Sequence, residues 1–95
     1  MQSSKLEELR KFSDPDHVIN EAKMMGFNPV HESSRKDKKY MVFDGHKMVH
    51  FGQMGYQDYT KHNDEKRRER FKKRNWKWQY APNYSPSYLS WALLW

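Results

Sequence analysis

The residues of this 95-residue chain that could do chemistry are five histidines and a scatter of aspartates. Imidazole is both a metal ligand and an acid–base group that titrates near neutral pH. His46 and His50 have the i,i+4 spacing that chelates one ion on a helix. They flank strand-like residues, however, where four positions span ~13 Å, too far for a single ion. His62 and Asp64 could approach Asp58 if the loop between them folds back. Together with Asp44, His50 and nearby basic residues, these groups could be the parts of a nuclease holding Mg²⁺ and phosphate. Yet the carboxylates follow no recognisable spacing, and no GxSxG elbow or phosphate-binding glycine loop occurs. The expectation is a protein that is not an enzyme, with no catalytic residues, resident metal or cofactor. Its histidines and aspartates then make structural hydrogen bonds.

Charge is the stronger signal. The formal net charge is +6, with -2 in residues 1–34 and +8 in residues 35–95. Residues 61–78 alone hold nine basic and three acidic side chains. Tyr56, Tyr59, Phe71, Trp76, Trp78 and Tyr80 sit around that run. Basic groups mixed with aromatics suit phosphate contacts and base stacking. The residues expected to meet an anionic partner are Lys66, Arg67, Arg68, Arg70, Lys72, Lys73 and Arg74. A solvated helix stabilised by its own ion pairs is the plainer alternative.

The elements that must position these groups can be read from periodicity. "SSKLEELRKF" predicts a helix in which Ser4 and Glu7 form a capping box and Leu6, Leu9 and Phe12 share a side. "SDPDHVINEAKMMGF" predicts a second, capped by Ser13 or Asp14, with Pro15 in its first turn and Gly26 ending it. Val18, Ala22 and Met25 lie at helical spacing on it. Asp44-Gly45 is a strong hairpin signal, placing strands near 38–43 and 46–51. Either Met48 and His50 or Val49 and Phe51 face inward on the second strand. "PVHESS" could add an edge strand. Asn63 (or Thr60) can cap a basic helix with Asp64 and Glu65 in its first turn and Lys72, Lys73 and Arg74 in its last, matching the helix dipole. Asp64–Arg68 and Glu69–Lys73 are favourable i,i+4 pairs. "NWKWQYAPNYSPSY" is broken by prolines, and Ser85-Pro86 can start a final short apolar helix.

Between the hairpin and the basic helix lies "HFGQMGYQDYTKH". Its residues His50, Phe51, Gly52, Gly55, Tyr56, Asp58, Tyr59, Thr60 and His62 read as the architecture of a turn. Glycines allow unusual backbone angles, Asp58 or Thr60 can bind turn amides, and the rings of Phe51, Tyr56 and Tyr59 fill a small core. The terminal "YLSWALLW" can pack over the hairpin or act as an anchor for a partner. Trp76, Trp78, Trp91, Leu94 and Trp95 are the candidate docking residues.

Bulk composition sets the frame. Hydrophobic residues are 36% of the chain and charged residues 32%, with a mean hydropathy of -1.25. Those values approach the disordered range, but 16% aromatic residues can bury large areas. A chain of this length buries roughly 60–65% of its unfolded surface, so its core is small. The absence of cysteine excludes disulfides and thiolate metal sites. No signal core or membrane-length apolar stretch is present. The result is one α+β domain over 1–95: a helical part at 1–27, then hairpin, aromatic turn, basic helix and Trp-rich end over 33–95.

Several motifs stand together from Ser33 onward: Lys38-Lys39-Tyr40-Met41-Val42, His50-Phe51-Gly52, Gly55-Tyr56, Asp58-Tyr59-Thr60, His62, Asp64, and Ser90 to Trp95. In combination they resemble a family of small uncharacterised proteins of giant nucleocytoplasmic DNA viruses and some phages. The "KRNWKW" that closes the basic helix departs from the family's Arg-His ending. The resemblance implies a viral origin, a virion or host-cell location (cytoplasm, virus factory or nucleus), and no particular activity. With the charge pattern it leads to the expectation of a non-catalytic structural or assembly protein. Such a small basic virion component, minor capsid or cement-like, would dock on acidic surfaces of viral structural proteins. The alternative is a nucleic-acid-binding accessory protein using the basic helix 64–74 on DNA or RNA, and a less favoured one is the metal-dependent nuclease.

Overall fold

The computed structural model describes residues 4–95. Helix α1 (Ser4–Arg10) and helix α2 (Pro15–Met24) precede a three-stranded antiparallel sheet ordered β1 (Val30–Glu32), β2 (Lys38–Phe43), β3 (Met48–Gln53). A single helical turn α3 (Tyr59–His62), the basic helix α4 (Glu65–Arg74) and a 3₁₀ segment Trp76–Tyr80 follow. The chain closes with α5 (Pro86–Leu89), which widens into a π-helical turn over Ser90–Leu94. This is the α+β architecture that the periodicity predicts. The Ser4 cap lies outside the described side chains.

Local chemistry explains the boundaries. Asp14 caps α2 by accepting from the His17 amide, and Pro15 occupies the first helical position, where its missing N–H costs nothing. In the hairpin, the Asp44 carboxylate accepts from the amides of His46 (2.7 Å) and Lys47 (2.8 Å). Those bonds hold both residues in the loop, so β3 starts at Met48, two residues later than expected. Ser85 caps α5 through the Tyr88 amide.

The register pairs Tyr40 with Phe51 and Val42 with Val49, and this face is the inner one. Phe51 and Val49 are buried, which decides between the two inward sets for β3. Tyr40 and Phe51 bring their ring centroids to 5.6 Å. Around them pack Leu9 of α1, Val18 and Ala22 of α2, Val30 of β1, and Leu89, Leu93 and Leu94 from the C-terminal helix. Each such valine or leucine side chain contributes about 1.5–3 kcal/mol when fully buried. The core therefore draws on both ends of the chain. Leu94 is 2% exposed and is a core residue, so it cannot be the free docking anchor that the sequence suggested.

Three expectations need correction. Tyr56 does not fill the core: its ring is 70% exposed, because the turn uses its carbonyl instead. Neither Asn63 nor Thr60 caps the basic helix; Asp64 does, accepting from the Lys66 and Arg67 amides. Asp58 caps α3 and so draws Thr60 into that turn, while Asn63 reverses the chain in the left-handed conformation (φ 53°). Finally, Arg68 pairs with Glu65 at 3.7 Å rather than with Asp64, whose carboxylate is already turned onto the helix amides.

Candidate functional site

A buried polar cluster fixes the turn that launches α4. Lys39 and Asp58 are 2% and 1% exposed, with 3.0 Å between Nζ and Oδ2. The Lys39 ammonium also donates to the carbonyls of Tyr56 (2.6 Å) and Phe12 (3.3 Å), so its three protons meet three acceptors. The other Asp58 oxygen accepts from the amide and hydroxyl of Thr60. Thr60 Oγ1 in turn receives the Asp14 amide at 2.9 Å and lies 3.2 Å from Ser13 Oγ. Tyr40 donates its hydroxyl to Ser13 Oγ at 2.6 Å. Lys39 and Tyr40, neighbours on β2, thus end on neighbouring residues of the α1–α2 corner. The Asp58 amide completes the clasp by donating to the Phe12 carbonyl at 2.9 Å.

Burial of these groups moves their titration. Desolvation lowers the Lys39 ammonium, against the attraction of Asp58. Desolvation also pushes the Tyr40 phenol up, outweighing its hydrogen bond to Ser13. Tyr40 therefore stays neutral, a donor locked onto Ser13. Lys39 has every proton bonded to an acceptor, which holds its position.

The remaining turn residues divide by role. Phe51 is core, while Gly52 (φ 83°) and Gly55 (φ 100°) take up left-handed angles. At Gly52 a Cβ would stand 2.9 Å from Leu94 Cδ1 and 3.1 Å from Lys39 Cβ. The glycine thus makes room for the C-terminal helix to seat on the sheet. His50 Nδ1 lies 2.6 Å from Ser33 Oγ, a tie between β3 and the end of β1. Tyr59 donates its hydroxyl to Glu65. His62 accepts the Asp64 amide at Nδ1 (2.9 Å), which puts its proton on Nε2. That buried nitrogen has no hydrogen-bond partner among the described residues. Desolvation lowers both histidines, reinforced by Arg35 at His50 and by Arg67 at His62. Among the described residues no three His, Cys, Asp or Glu side chains gather as a metal site requires.

Beside this clasp opens a cleft of about 420 Å³. Helix α4 supplies Arg67, Arg70, Phe71 and Arg74; the end of β3 supplies Gly52 and Gln53, and the turn Tyr56, Gln57 and Asp58. Lys39, Trp78, Ser90, Leu94 and Trp95 complete the lining. Positions 67, 70, 71 and 74 fall on one helix face by their i, i+3, i+4, i+7 spacing. Asp58 is the one acidic side chain of the lining, and Lys39 already neutralises it. Among the described residues, Arg67, Arg70 and Arg74 have no carboxylate partner, so their charge is uncompensated.

The adjacent stripe of α4 faces elsewhere. Arg68 Nε donates to the Trp95 carbonyl at 2.6 Å and its guanidinium lies 4.8 Å from the Tyr59 ring centre. Lys72 lies 3.5 Å from the Trp91 carbonyl and 4.3 Å from the centre of the Trp91 ring. Phe71 stacks on Trp95 at 4.3 Å and 7°, and meets Trp78 edge-on at 5.6 Å and 81°. The seven basic residues expected to act together therefore split: Arg67, Arg70 and Arg74 line the cleft, Arg68 and Lys72 hold the chain end, and Lys66 and Lys73 are exposed outside it. Of the five candidate docking residues, Trp76 alone is mostly exposed; Trp91 and Trp95 pack against α4. Lys39 was missed as a site residue, since a lysine within "KKYMV" reads as one more solvated charge. Its signal was weak: a strand lysine facing a glycine, near an Asp-x-Thr turn.

Residues 29–75 match the model of DUF5754, a family of unknown function. That span runs from β1 through the last residue of the α4 cap and contains the hairpin, the turn and all three cleft arginines. No curated protein and no solved structure matches the chain. None of the helices described is long and apolar enough to cross a membrane.

Proposed function

We propose that this protein is a non-catalytic binding module for nucleic acid, working through the face of α4 that carries Arg67, Arg70 and Arg74. One observation carries the reading. Among the described residues, three arginines without an acidic side-chain partner line an aromatic cleft whose one acidic side chain, Asp58, is already matched by Lys39. Guanidinium groups bind phosphate with a planar, bidentate fork, and neighbouring rings add base contacts. The test is a salt titration of affinity for DNA and RNA. Log affinity should fall linearly with log salt, with a slope of roughly -0.7 to -0.9 per phosphate neutralised. Absence of binding to either polymer near 50 mM salt, within the salt range where such contacts are strong, ends the reading.

A second reading, a small virion component cementing acidic protein surfaces, draws on a different observation. Trp76 and Tyr80, next to the basic helix, are 52% and 75% exposed, a pair of rings suited to a protein interface. The resemblance to proteins of large DNA viruses supplies the setting. Crosslinking mass spectrometry on particles and infected-cell lysate tests it; crosslinks from Lys73 and Lys77 to a viral structural protein are the expected result.

A further inference from the structure

Resting on the nucleic-acid reading, we infer that the cleft beside α4 seats one unpaired nucleotide, its phosphate among Arg67, Arg70 and Arg74 and its base against Trp78. The protein would then prefer single strands to duplex.

Three features of the cleft lead there. First, its volume of about 420 Å³ lies within the range of small-ligand pockets, ~300–1,000 Å³, and suits a nucleotide rather than a helical groove. Second, α4 is a poor groove reader. It has ten residues, and its Arg68–Lys72 stripe is committed to the Trp95 and Trp91 carbonyls. Arg67, Arg70 and Arg74 line the cleft while staying solvent-exposed, so they can hold the phosphate of a nucleotide whose base enters it. Third, the rings are unequally occupied. Phe71 and Trp95 cover one another face to face. Trp78 meets Phe71 only edge-on, and no ring among the described residues stacks face-to-face on its indole. An unstacked indole beside uncompensated guanidiniums is the pairing that single-strand sites use.

Fluorescence anisotropy with a labelled oligothymidine of about ten nucleotides and a duplex of equal length provides the test, at one low salt concentration. Single strand should bind at least about tenfold more tightly. Trp78→Ala should weaken single-strand binding about tenfold while leaving the salt slope in place, and Trp78→Phe should restore most of it. Arg67→Ala/Arg70→Ala/Arg74→Ala should flatten the slope instead. Because Trp78 also packs on Phe71, circular dichroism of each variant and a Trp78→Leu variant separate lost stacking from lost folding. Equal affinity for both forms, or competition by inorganic polyphosphate as effective as that by oligothymidine, overturns the single-nucleotide inference but leaves nucleic-acid binding standing. Binding to polyglutamate in preference to either nucleic acid overturns both.

Discussion

The ammonium of Lys39 and the carboxylate of Asp58 meet at 3.0 Å, nineteen residues apart in sequence and shut away from solvent. Removing one member of such a pair leaves an uncompensated buried charge, which costs about 3–5 kcal/mol. Asp58→Ala should destabilise the protein by that amount in denaturant unfolding. The double variant Lys39→Met/Asp58→Ala should recover part of the loss. A double variant no better than Asp58→Ala would mean that the pair is not what holds the turn.

Gly52 faces two demands at once, a left-handed backbone angle and the side chain of Leu94 at van der Waals range. Gly52→Ala should cost about 1–3 kcal/mol, the usual effect of overpacking, and should lower the melting temperature. Leu94→Ala in the same background should relieve the closest contact but leave the crowding against Lys39 and the backbone strain. The two substitutions should therefore be non-additive in a double-mutant cycle.

Acid should loosen the protein earlier than its carboxylates require. His50 and His62 are both held below the ordinary histidine value of 6.5. The unfolded chain thus binds protons more readily as pH falls through 6.5, and stability declines from there toward the folded values. Protonated His62 would also turn a donor toward the Asp64 amide, removing the bond that leads into α4. Denaturation midpoints measured from pH 7.5 down to 5 should fall. His50→Gln/His62→Gln should flatten that decline.

Neighbouring arginines of α4 should behave differently. Arg68→Ala should cost about 0.5–1.5 kcal/mol of stability by losing its bond to the Trp95 carbonyl, with little change in nucleic-acid affinity. Arg70→Ala should leave the melting temperature in place and weaken binding. Parallel melting and binding measurements on the two variants give the contrast.

Where local rules decide, the sequence was transparent. Asp44-Gly45 marks the hairpin, Pro15 and Ser85 mark helix starts, and the alternation in "KKYMVF" marks β2. The misreadings lie where distant residues decide. Lys39 is indistinguishable from its half-buried neighbour Lys38 until Asp58 and two carbonyls are brought to it. Tyr56 turned outward because its backbone, not its ring, is what Lys39 needs. The basic run could be read as a binding helix, but not divided, because the Trp91 and Trp95 carbonyls that claim Arg68 and Lys72 lie at the far end of the chain.

The tethers of the aromatic turn and α4 reach beyond the span that matches the family. Lys39 and Tyr40 end on Phe12 and Ser13, upstream of residue 29; Arg68 and Lys72 end on Trp95 and Trp91, downstream of residue 75. A polypeptide cut to 29–75 would keep every cleft arginine and lose the anchors on both sides. The unit that folds is therefore larger than the one that matches: in this chain the Phe12–Ser13 corner and the Trp91 and Trp95 carbonyls complete what residues 29–75 begin.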